Sequence, residues 1–182
     1  HDPAVLARTV PEVIRAIFAI GLPLVLLGVA LVPKVLVLFF PSGFEVAAPI
    51  AQLMLFAALL ATVDMVMSSV MLAARAQRRD LQALLIGVCT LALVIVVLTP
   101  RLGALAAGLG MLIQMTVKVV LRGRWAQRAL GVRGLVPIAL RALVCAAVAG
   151  APLALGHEHL DRVLLAGLSL AAYLAAALAT GL

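Results

Sequence analysis

The chain has 182 residues, of which 66% are apolar and 12% charged, with a mean hydropathy of +1.27 and a net charge of +7. That balance excludes a water-soluble globular domain and a disordered chain, and it predicts an all-α integral membrane protein. Apolar blocks of about 18 to 25 residues match the length at which a helix crosses a hydrocarbon core of about 30 Å, so the sequence predicts how many helices there are and which way they run.

The opening HDPAVLARTV lacks the basic, apolar and small-residue succession of a signal peptide, and the sequence reads as part of something longer. Thr9 with Glu12 forms a capping box and Pro11 suits a first turn, which predicts a helix from about Val10 to Phe40. Pro23 and Pro33 each remove a backbone donor from it and predict a bend. Pro41, Ser42 and Gly43 then form a turn. A second helix is predicted from about Pro49 to Ala74, carrying Asp64, and it ends at the basic RAQRRD turn. The third spans about Leu81 to Leu98 and stops at Thr99-Pro100. The fourth, about Leu102 to Leu121, opens with small residues spaced four apart, as helices that cross closely do.

Residues 122–135, with Trp125 and several arginines, read as a basic segment at the headgroup level. Two further spans are predicted within 136–182, from about Val136 to Leu155 and from about Arg162 to the end. Ser169, Tyr173, Ala176 and Thr180 share a face of the last one, with Tyr173 directed into the core. Placing the amino terminus inside puts eleven of the fourteen Lys and Arg residues on the cytoplasmic side, leaving Lys34, Arg101 and Arg162 outside. Both ends are therefore expected to be cytoplasmic, and the positive charge is assigned to membrane lipids, with no nucleic acid as partner. Cys89 and Cys145 both fall inside predicted spans, where each is expected to be a small buried apolar side chain and not to form a disulfide.

Four features occur together: a Pro-bent helix, the turn FPSGFEVAAPI, a helix ending LAARAQRRD, and a helix opening PRLGALAAGLG. Over roughly Val10 to Lys118 this resembles the carboxy-terminal part of the multidrug/oligosaccharidyl-lipid/polysaccharide exporter superfamily, within it the bacterial lipid-linked polysaccharide flippases. The resemblance implies the last six helices of a fourteen-helix transporter of the inner membrane. In it 1–121 forms a four-helix part of the carboxy-terminal lobe, and an amino-terminal lobe of the same chain is the partner. It also implies a cargo, a polyprenyl-diphosphate-linked saccharide, flipped during surface polysaccharide or cell-wall synthesis. A lipid II flippase and a drug/cation antiporter remain open within the superfamily, and a membrane glycosyltransferase or ligase, or a non-transporting assembly subunit, outside it. Gly103 followed by Ala106-Ala107-Gly108 keeps the small packing of the family with a shifted glycine. Cys89 and Thr90 stand where drug-exporting relatives carry an Asn, which argues against cation coupling of that kind.

Asp64 is the residue that most needs a reason, because a carboxylate at mid-span costs about 2.5 to 3.5 kcal/mol on insertion scales and is expected to face the bundle interior. It reads either as a structural hydrogen-bonding group or as a proton-titrating or substrate-facing acid. The insertion cost taken alone predicts that Asp64→Leu inserts at least as well. Asp64, Ser68, Met71 and Arg75 follow one helical stripe. Gln114 and Lys118, with Arg122 a turn further, form another, which either snorkels to the interface or offers donors to a lipid diphosphate. The expected substrate or coupling path is thus Asp64, Ser68, Arg75, Gln114 and Lys118. His157, Glu158, His159 and Asp161 lack the framework of a metal site, and no nucleophile, paired-carboxylate or phosphate-loop pattern is present, so neither catalysis nor a cofactor is expected.

Overall fold

The computed structural model describes residues 3–41, 43–130, 137–138, 171–173, 175 and 177. Among these the chain is all-α: α1 (Pro3–Phe39), a short 3-10 turn (Phe44–Ala47), α2 (Ala48–Ala73), α3 (Gln77–Leu102) and α4 (Leu105–Leu130). All four α-helices are long and apolar enough to cross a membrane, as a multi-pass membrane protein requires. The two further spans expected within 136–182 lie outside the described residues, apart from a few positions. Of these, Ile138 and Tyr173 are buried in the two core clusters.

α2 has the expected length, shifted by one residue, while α1, α3 and α4 are longer than their patterns predict, for local reasons. The expected capping box does not start α1. Its backbone is helical from Pro3, and the Thr9 hydroxyl instead donates back to the Val5 carbonyl at 3.0 Å. α3 begins at Gln77 because the N–H groups of Arg79 and Asp80 already bond the Ala76 carbonyl, and Asp80 favours the positive end of the helix dipole. Pro100 does not stop it, since the break falls only at Gly103, which takes φ 55°. α4 continues without interruption through residues 122–130, so this part is helical and continuous with the span before it. Ala126 is fully buried there, and Trp125 packs on the first core cluster.

The α2–α3 turn closes with two bonds, from the Ala76 N–H to the Met71 carbonyl at 2.9 Å and from the Arg75 N–H to the Leu72 carbonyl at 3.0 Å. This is the Schellman pattern, whose first residue beyond the cap is left-handed and normally glycine. Here it is Arg75 with φ 55°. Arg75→Gly is expected to raise stability by about 1 kcal/mol, the cost of holding a side chain in that region, readable as a raised midpoint of thermal unfolding.

Close approaches fix the order of the helices. Val10 and Ile14 of α1 share a cluster with Val63, Met67, Val70 and Met71 of α2, so the two run antiparallel. A Cβ on Gly108 would meet Leu53 and Ile50 near the start of α2, and Lys118 and Arg122 reach Asp64 further along, so α4 runs parallel to α2. Gly110 opposes Leu91 and Gly87 opposes Lys118, so α4 runs antiparallel to α3. The order in space is α1, α2, α4, α3, with α4 packed against both α2 and α3, which touch each other only weakly. α3 therefore turns most of its surface outward, with Leu85, Leu93, Val96 and Val97 exposed and Cys89 exposed among them rather than buried as its place in a span suggests. This geometry gathers Arg8, Arg15, Arg75, Arg78, Arg79, Arg124 and Arg128 toward one end of the bundle, and Lys34 and Arg101 toward the other.

Candidate functional site

The close parallel approach of α4 to α2, allowed by Gly108, brings two cations against one acid. Lys118 Nζ lies 2.8 Å from Asp64 Oδ2, and Arg122 Nη1 donates to Asp64 Oδ1. A second acid closes the group from α3: Arg122 Nε lies 2.8 Å from Asp80 Oδ1, and the Ser68 hydroxyl of α2 donates to Asp80 Oδ2 at 3.2 Å. Asp64, Lys118 and Arg122 are 5%, 7% and 4% exposed, and Gln114 is buried one turn before Lys118. Asp64 stands about 24 Å along the helix from Ala48 and about 14 Å from Ala73, inside the span and nearer the arginine-rich end.

Two acids and two bases make the cluster formally neutral, which is how charge is tolerated away from water: paired, hydrogen-bonded and turned from lipid. Its two arms differ in quality. Arg122 holds Asp64 through a charge-assisted hydrogen bond, whereas Asp80 Oδ1 and Arg122 Nε face each other with no hydrogen bond between them and no other partner. Attraction on that side is between charges alone, so the Asp80 arm is the weaker one. Since Asp80 belongs to α3 and Asp64 to α2, the Arg122 side chain ties three helices together at one point.

Lys118 reaches Asp64 because α3 gives way to it. A Cβ on Gly87 would lie 2.7 Å from Lys118 Cγ, 2.8 Å from Cδ and 3.4 Å from Gln114 Cγ. Glycine leaves the groove in which the lysine stem runs. No larger residue fits there without moving the stem.

Of the five residues expected along the path, Asp64 and Lys118 form a direct ion pair, Ser68 joins through Asp80, and Gln114 lines the groove beside Gly87. Arg75 does not take part. The left-handed turn swings it off the Asp64 stripe, and it is exposed. Lys118 and Arg122 do not snorkel, since both end on buried carboxylates. Asp80 and the full role of Arg122 were not evident from helical stripes. A count of acids exposes them, because Asp64 and Asp80 are the only carboxylates between Ala48 and Leu130, and two mid-helix cations need two counter-charges. No group of three or more potential metal ligands occurs among the described residues. The loop His157 to Asp161 lies outside them.

Comparison with known protein families, curated proteins and solved structures finds no match for this chain.

Proposed function

We propose that the chain is the carboxy-terminal part of a transporter that flips a polyprenyl-diphosphate-linked saccharide across the bacterial inner membrane. In this reading the Asp64–Lys118–Arg122–Asp80 cluster is the element that changes partners during the cycle. The reading rests on the resemblance over Val10 to Lys118 and on one observation: a neutral, four-residue ion cluster, with Asp64, Lys118 and Arg122 buried and Asp80 half-buried in the first turn of α3, that joins α2, α3 and α4 through one arginine. A scaffold can reach the same packing with apolar residues, and buried ion pairs are weak sources of stability, so a cluster kept within a membrane bundle points to a changing charge partner. Every cation in it is engaged by a carboxylate in this state. A diphosphate headgroup can therefore be held by Lys118 and Arg122 only in another state, in which Asp64 or Asp80 has let go. In this reading the arginine-rich end faces the cytoplasm, which the bias of basic residues supports.

The test uses the full-length protein in cells lacking their own flippase, with surface glycan display and membrane abundance read together. The wild-type protein should restore display. The neutral pair of changes Asp64→Asn with Lys118→Gln keeps charge balance and hydrogen-bonding capacity, so it should accumulate normally and lower display at least tenfold. Failure of the wild-type protein to restore display would refute the cargo. Full display by the double variant would make the cluster structural, as in a non-transporting assembly subunit.

A further inference from the structure

We propose that α1, which holds Pro11, Pro23 and Pro33 inside the helix, is a lever with joints at the last two, latched from outside the helix by Gln52 at Pro33 and by Tyr173 at Pro23. A proline has no N–H, so the carbonyl four residues earlier in a helix loses its donor. For Pro33 that carbonyl belongs to Val29, and for Pro23 to Ala19. Gln52 of α2 donates its Nε2 to the Val29 carbonyl at 3.0 Å. The Tyr173 hydroxyl lies 3.3 Å from the Ala19 carbonyl and 3.0 Å from its neighbour Phe18. Each freed carbonyl thus has a donor within hydrogen-bond reach, Gln52 from α2 and Tyr173 from the carboxy-terminal part of the chain, whose one hydroxyl proton is shared with the closer Phe18 carbonyl.

The surroundings of both joints are shaped for this. Gly28, beside Val29, leaves a notch in which Leu55 of α2 sits, since a Cβ there would lie 2.9 Å from Leu55 Cδ1. Gly21, two residues before Pro23, holds Leu59 in the same way. α2 therefore comes close enough for a glutamine amide to reach the backbone of α1. Tyr173 is 1% exposed in a cluster with Leu22, Val25, Leu26 and Leu59, so its ring is held by packing while its hydroxyl caps the joint. In an apolar bilayer a freed carbonyl must find a donor within the protein or from a water that enters, so each latch biases its joint toward the present geometry. Swinging α1 at Pro33 requires Gln52 to release, and swinging it at Pro23 requires Tyr173 to release. The motion of α1 is thereby coupled to α2 at one joint and to the end of the chain at the other, whatever the cargo.

A double-mutant cycle against the prolines tests this in the purified full-length protein. Pro33→Ala gives the Val29 carbonyl an intrahelical donor again, and Pro23→Ala does the same for Ala19. Gln52→Leu is expected to lower the melting temperature by about 2–4 °C and to add a second, longer distance between spin labels at Lys34 and Met54. In the Pro33→Ala background it should do neither. Tyr173→Phe, which keeps the ring, should likewise lower the melting temperature, and have a clearly smaller effect once Pro23 is Ala, where only the contact to the Phe18 carbonyl is lost. Equal effects in both backgrounds would show that the two side chains act elsewhere. A single, unchanged label distance in Gln52→Leu would reduce the latch to a static cap and overturn the lever.

Discussion

Asp64→Leu is expected to destabilise the bundle by about 3–5 kcal/mol, because it leaves Lys118 and Arg122 buried against one remaining carboxylate. Removing one partner of a buried pair costs more than removing both, since the partner left behind has neither water nor counter-charge. Asp64→Leu with Lys118→Leu leaves Arg122 with Asp80, a neutral pair, and should return to within about 1 kcal/mol of the wild type. The measurement is reversible unfolding of the purified full-length protein, with each single variant and the double variant forming one cycle. A single variant as stable as the wild type, with no gain in the double, would show that the cations find other partners. The insertion cost of one carboxylate, taken alone, points to the opposite result. It treats Asp64 as an isolated charge, while the fold makes it half of the counter-charge for two bases.

That reversal shows what sequence reasoning can reach. The membrane class and the positions of all four described helices follow from apolar length alone, because a span needs about 20 residues and little else satisfies a backbone in lipid. The small-residue opening of α4 also predicts its role, for Gly108 and Gly110 seat α2 and α3 on two sides of one helix. Helix ends were harder to read. Thr9 looks like a cap and is a mid-helix back-bonding hydroxyl, and Pro100 looks like a stop and sits in a last turn closed by Gly103. Local chemistry permits either role at those positions, and the neighbouring residues decide between them. The stripe from Asp64 to Arg75 failed for a related reason, since periodicity extends only as far as the helix, and a left-handed Arg75 ends it one residue early. The cluster required pairing across helices far apart in the chain. Helical spacing places Lys118 and Arg122 on one face, but only the order α2, α4, α3 shows that this face lies between two acids.

Gly87→Ala is the change that separates placement of the lysine from packing of the helices, and it is expected to cost about 2–3 kcal/mol. The added methyl meets the Lys118 stem at 2.7 Å and 2.8 Å, so the stem must leave its groove and draw Nζ away from Asp64. Gly110→Ala provides the comparison on the same helix pair. Its methyl would meet Leu91 Cδ1 at 3.0 Å, a flexible apolar tip that can shift, and it should cost less than about 1 kcal/mol. The ionic share of the Gly87 cost is isolated by repeating the change in a background carrying Lys118→Met and Asp64→Asn. There the stem keeps its bulk but has no charge to hold in place. Gly87→Ala should then cost about as much as Gly110→Ala, because a thioether stem can bend out of the groove without breaking a pair. An undiminished cost in that background would mean that Gly87 serves only the approach of α3 to α4, and that Lys118 finds Asp64 without its help.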